Sequence, residues 1–265
     1  MIDAGPPPII FPKPAIIRSA ADLNRHDRRA IERRFGVRFR DPALAMLPGA
    51  FPFVGAGGAP IPSGGYVTGG YYEKTSGSAT MTFTGVDIGT ASATRTIVIT
   101  AGARFATATG ATCTVNGVTI DRQVASAITS PAAIYSGIVA TGSTGVSVVL
   151  SGWTSTSGGA GIGVYAVYDL LSSTAEYTNY QDASDAALSV TVSDGGFIVG
   201  TGRGGNSSSG WVWTNLTEDY DQLTASGSQS SLSGASDWFV TGGSQSITMN
   251  YSGGTKTGGC LAAFR

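Results

Sequence analysis

The chain has 265 residues, 42% hydrophobic and only 12% charged, with a formal net charge of −1. This length allows one large all-β domain or two small ones, and 24 Phe, Tyr and Trp residues, with abundant Val, Ile and Thr, exclude a disordered chain. Charge is uneven: residues 1–45 hold nine of the sixteen Lys and Arg against five acids, so the first part suits an acidic partner and the rest a largely neutral one.

Residues 1–18 contain five prolines among Ile and Phe, a composition that favours extended backbone and cannot form a core by itself. A signal peptide would need a charged start and an unbroken apolar stretch, whereas IIFPKPAII is interrupted by proline, so synthesis in the cytoplasm is expected. No run reaches the roughly 18 apolar residues of a membrane span, and no membrane insertion is expected. Ser19 opens a helix over about 20–35: Leu23, Ala30, Ile31 and Phe35 recur at helical spacing until Gly36. Its other face carries Arg25, Arg28, Arg29, Arg33 and Arg34. This face is either solvated or docked on an acidic protein surface; one short basic helix is thin support for nucleic acid, which is not expected as a partner. Ile16, Ile17 and Phe35 join these arginines as the candidate docking residues. Residues 41–65, rich in Pro, Gly and Ala, read as a packed linker, which places a domain boundary near 65.

From residue 66 the period changes to two. Short apolar runs at 66–72, 79–86, 94–101, 133–140, 145–151 and 161–170 predict strands, and Asn116-Gly117 predicts a hairpin within 112–120. Further runs follow at 187–193, 196–202, 210–214, 220–225, 237–242, 245–251 and 258–264. Without helical stretches between them, parallel pairing is excluded, and residues 66–265 are expected to form an antiparallel β-sandwich, with a two-sheet jelly roll as the best single choice. No repeat of fixed period is evident.

Little in this pattern suits catalysis. The single histidine, His26, lies on the basic helix, so a Ser-His-Asp triad cannot be built in the sandwich, and no catalytic residue is expected. Gly200, Gly202 and Gly205 match GxGxxG, but the NSSSGWVW that follows is not helical; the glycines read as a sharp loop. Cys113 and Cys260 lack metal-ligand spacing and are either two buried thiols or one disulfide, and neither metal nor cofactor is expected. Trp211 and Trp213 share one face of a strand. If outward, their indoles, with Asp219 and Asp221 nearby, would suit sugar rings; if inward, they are core. The acids near 218–221 are otherwise a solvated rim, a cation or sugar-hydroxyl site, or, as a last choice, a glycosidase pair.

The stretches TASATRTIVITAGARFATATGATCTVNGVTIDRQVA and AAIYSGIVATGSTGVSVVLSGWTSTSGGAGIGVYAVYDL, with the terminal GGCLAAFR, resemble β-sandwich domains of tailed-bacteriophage structural proteins. PAIIRSAADLNRHDRRAIERRFG and PGAFPFVGAGG are similar to docking segments preceding such domains in phages of alphaproteobacteria. The resemblance implies a virion protein made in the host cytoplasm, anchored to other phage structural proteins through residues 1–60 and projecting its sandwich. A tail fibre or tip implies a homotrimer that meets cell-surface glycan; a capsid decoration protein implies capsid contacts and no ligand; a lectin-like module is a further alternative. No functional residue is implied by the resemblance.

Overall fold

The computed structural model of the chain describes residues 62–74, 80–103, 110–126, 132–153, 159–182, 187–205, 210–223, 231–239, 241–252 and 256–265. The expected arm, the basic helix over 20–35 and most of the linker lie outside these residues. Among the described residues every regular element is a strand, and every strand pair is antiparallel.

Eight strands form the first half: β1 (Ser63–Lys74), β2 (Thr80–Val86), β3 (Arg95–Ala103), β4 (Thr112–Val115), β5 (Val118–Ala125), β6 (Ala132–Ile138), β7 (Val146–Ser151) and β8 (Gly159–Tyr168). Their hydrogen-bonded order is β1-β8-β3-β6-β5-β4-β7-β2. Strand β5 turns the corner, pairing with β4 through Val118–Ile120 and with β6 through Asp121–Ala125. One layer is therefore β1-β8-β3-β6 and the facing layer β5-β4-β7-β2, the strand order of a jelly roll.

Eight more strands follow: β9 (Tyr177–Gln181), β10 (Leu188–Val192), β11 (Gly196–Gly204), β12 (Trp211–Thr214), β13 (Thr217–Leu223), β14 (Ser231–Phe239), β15 (Gly243–Tyr251) and β16 (Lys256–Phe264). Their orders are β9-β16-β11-β14-β13 and β10-β15-β12, the first half's order with each strand advanced by eight. The sandwich is thus doubled: two jelly rolls in tandem, where the sequence suggested one and no repeat. Matched positions on β3 and β11 keep Ile97/Ile198, Val98/Val199 and Thr100/Thr201, and those on β8 and β16 keep Ala166/Ala263. Few other residues agree, and unequal loops change the offset from strand to strand, so no fixed period survives in the sequence.

One pairing differs between the halves. β4 and β5 are joined by Asn116-Gly117, both at positive φ (50° and 78°), the two-residue hairpin that keeps successive strands hydrogen-bonded. β12 and β13 are joined by Asn215-Leu216, where Asn215 has φ 66° and Leu216 is not left-handed, and the two strands enter different sheets.

Three apolar cores result. The first fills the inside of the first half, with Met81, Phe83, Ile97, Ile99, Leu150 and Val164. The third fills the second half, with Val190, Ile198, Trp211, Trp213, Met249 and Leu261. The second lies between the halves, where Val98, Ile134, Tyr165 and Val167 meet Phe197, Val199, Leu232 and Phe264. The large sheets are consequently covered on both faces, and β3 and β11 are buried at every residue. Such strands read as continuous apolar runs rather than as alternation, for the reason that parallel strands do in α/β folds. The seam brings β1 against β13 and β5 against β9, two contacts that exchange when every strand is replaced by its counterpart in the other half, so the chain is built as an internal two-fold pseudo-dimer.

Arg95, fully buried, holds one end of the first half: its guanidinium donates to the carbonyls of Val139 (2.9 Å), Ile88 (3.2 Å), Gly89 (2.8 Å) and Thr141 (2.8 Å). These neutral acceptors satisfy the donor fork without a counter-ion, and burial lowers the pKa of the group.

Candidate functional site

The aromatic pair that offered a sugar-binding face points inward. Trp211 and Trp213 retain only 4% and 9% of their surface, so the reading that needed exposed indoles is corrected: they are core. Their rings stack with centroids 6.5 Å apart, and Tyr251 extends the stack at 4.8 Å from Trp211. The indole N–H of Trp211 donates to Ser231 Oγ (2.9 Å) and that of Trp213 to Ser233 Oγ (2.8 Å). β14 therefore has small polar residues where the indoles arrive, which removed the apolar alternation that would have revealed its start.

The same rings account for the first two glycines of the GxGxxG match. Gly200 and Gly202 are not in a loop; they stand on β11 under Trp213 and Trp211. A Cβ at Gly200 would lie 2.7 Å from Trp213 Cζ3 and 2.8 Å from Leu261 Cδ2, closer than carbon atoms approach. A side chain there would displace an indole, so the pattern serves packing.

The two acids differ in role. Asp221 Oδ2 accepts from the backbone N–H of Gly210 (2.8 Å) and Trp211 (3.3 Å), fixing the entry to β12. Asp219 sits at a bulge of β13: Glu218 opposes Ala235 and Tyr220 opposes Gly234, leaving Asp219 as the extra residue. Its carboxyl is half-buried beside Ser236 and beside Tyr165 of the first half. Burial, chiefly, raises its pKa from 3.8 to about 6; polar contacts with the hydroxyls of Ser236 and Tyr165 oppose the rise, and the charges of Asp237 and Glu218 add to it.

Next to Asp219, Tyr220 crosses the seam. Its hydroxyl is 2.7 Å from Thr100 Oγ1 on β3, and its ring covers Gly163 and Gly69 of the first half. Tyr66 stacks on it at 5.8 Å with an interplanar angle of 21°, and Tyr165 meets Tyr66 edge-on at 5.6 Å. Trp238 Nε1 donates to Gly64 O (3.2 Å) and its ring packs on Phe197 at 4.7 Å. This cluster of three tyrosines, one tryptophan and one bulged acid joins the halves at the β1 side. Nothing local in the sequence links Tyr66 and Tyr165 to Tyr220 and Trp238, so the sequence alone does not assemble this cluster.

Beside the segment that joins the two halves, a shallow, open depression of about 280 Å³ is lined by Thr94, Thr96, Ile138, Asp169 and Leu171. Among the described residues no three His, Cys, Asp or Glu side chains gather as metal ligands. Cys113 and Cys260 are both free and buried, one in the first core and one in the seam, which decides against a disulfide. Burial pushes both thiols far above their ordinary pKa. The docking candidates Ile16, Ile17, Arg25, Arg28, Arg29, Arg33, Arg34 and Phe35 lie outside the described residues. No known protein family matches the chain, and no curated protein or solved structure does either.

Proposed function

We propose that the chain is a non-enzymatic virion structural protein, anchored to its particle by residues 1–60 and presenting the tandem jelly rolls as a tail fibre, tip or receptor-binding appendage. The observation that carries this reading is the tandem jelly roll itself, since jelly rolls build viral capsid and lectin domains. That support is an analogy of fold. It is joined by the use of Trp211, Trp213, Asp221 and Arg95 inside the fold, and by the contrast between a basic, Pro-rich first segment and a β region with few charges. A lectin-like surface built on Trp211 and Trp213 is not carried further, because both indoles are covered.

Native mass and particle binding of the full chain, compared with a chain lacking residues 1–60, test the reading. Loss of particle binding with the β region still folded is the expected result; undiminished binding by the truncated chain would overturn the anchor. A trimer formed by the truncated chain favours a fibre or tip, and a monomer favours capsid decoration.

A further inference from the structure

We propose that Asp219 is a proton-operated latch on the seam between the two jelly rolls, closed when its carboxyl is neutral and loosened when it ionises. The geometry comes first. A regular β13 would send residue 219 to one face of the sheet in alternation, but the bulge between Glu218 and Tyr220 re-aims it toward Ser236 and the first half's Tyr165. Asp219 Oδ2 and the Tyr165 hydroxyl are both shielded from water, and neither closes a hydrogen bond of ordinary geometry. A charge placed there loses hydration without full compensation, whereas a neutral carboxyl loses far less.

The surroundings strengthen this bias. The titratable groups around the site are Glu218, Tyr220 and Asp221 from β13, Asp237 from β14, Tyr165 from β8 and Tyr66 from β1. The carboxylates of Asp237 and Glu218 oppose a further negative charge, and the hydroxyls of Tyr165 and Ser236 offset only part of the loss of hydration. The position is structurally consequential, because the adjacent Tyr220 is the side chain that crosses the seam to Thr100. Separation of β13 from β8 at Asp219 would draw on that contact directly.

The sign follows from the raised pKa. The folded state holds the proton more tightly than the unfolded one, so the extra stability is fully present below about 3.8 and is lost as pH rises through about 6. With allowance for partial exposure, the change in the folded-to-unfolded ratio is about ten- to a hundredfold.

The two free cysteines report on the latch within the full chain. Cys260 belongs to the seam core and Cys113 to the first half's own core, and both are fully buried. The labelling rate of Cys260 divided by that of Cys113 cancels most of the reagent's own pH dependence and isolates opening of the seam. Between about pH 4.5 and 7.5 this ratio rises in the native chain and stays flat in Asp219→Asn, which carries no charge at either pH. Denaturant unfolding gives the independent measure: Asp219→Asn matches the native chain at the lower pH and exceeds its stability at the higher. A ratio that rises equally in both proteins, or a stability difference unchanged by pH, would overturn the latch.

Discussion

At the scale of single residues, the second half exchanges side-chain size between layers. Where β3 directs Ile99 and Ala101 into its core, β11 offers Gly200 and Gly202, and the space is filled from β12 by Trp213 and Trp211. Gly200→Ala therefore introduces one methyl group where no room exists, and overpacking of this kind costs about 1–3 kcal/mol. The expected outcome is a melting temperature lower by roughly 2–4 °C per kcal/mol, read by calorimetry; an unchanged melting temperature would show that Trp213 yields without cost. These residues also show why the sequence left the inward and outward readings both open. Trp211 and Trp213 two positions apart indicate a shared face, but not whether that face is inner or outer; the deciding partners, Gly200, Gly202, Ser231 and Ser233, come from other strands.

At the scale of elements, strands were legible wherever one face met the core and the other met water. β7 (VSVVLS) and β10 (LSVTV) show such alternation, and both lie within segments expected from sequence. β9 (YTNYQ) was not foreseen, since four of its five residues are exposed or half-exposed and only Gln181 is buried. β14 was placed too late in the chain, because its first half is Ser-Leu-Ser-Gly-Ala, sized for the indoles and for Tyr220. The hairpin at Asn116-Gly117 was legible from two residues, for a local reason: both must adopt positive φ. Gly117→Val should then destabilise the chain by about 1–2 kcal/mol. Asn215→Gly keeps the positive φ without strain but removes the exposed hydrogen bond from Asn215 Nδ2 to Ser246 O (2.8 Å), and should cost about 1 kcal/mol or less. Urea unfolding of the two variants checks both figures, and a Gly117→Val chain as stable as the native one would contradict the need for positive φ at the hairpin.

At the scale of the whole molecule, sequence reading reached an antiparallel jelly roll but saw one where there are two. The duplication is recorded in strand order and in a few positions such as Thr100 and Thr201, not in a period that a single sequence displays. The seam is the new surface this creates. A chain ending near residue 175 would leave Val98, Ile134, Tyr165 and Val167 without their covering layer. Native mass should show that this fragment self-associates or aggregates, and that it becomes soluble when produced together with residues 176–265; a well-behaved monomer would mean that the first half needs no cover. The same arrangement bears on biosynthesis. The first half leaves the ribosome before β11, β14 and β16 exist, so its apolar outer sheet waits for roughly 5–20 seconds while the second half is made. During that interval, the nascent chain offers chaperones and neighbouring copies a ready-made place to bind. Translation speed across the second half thus sets how often one chain completes its own pair rather than borrowing another's.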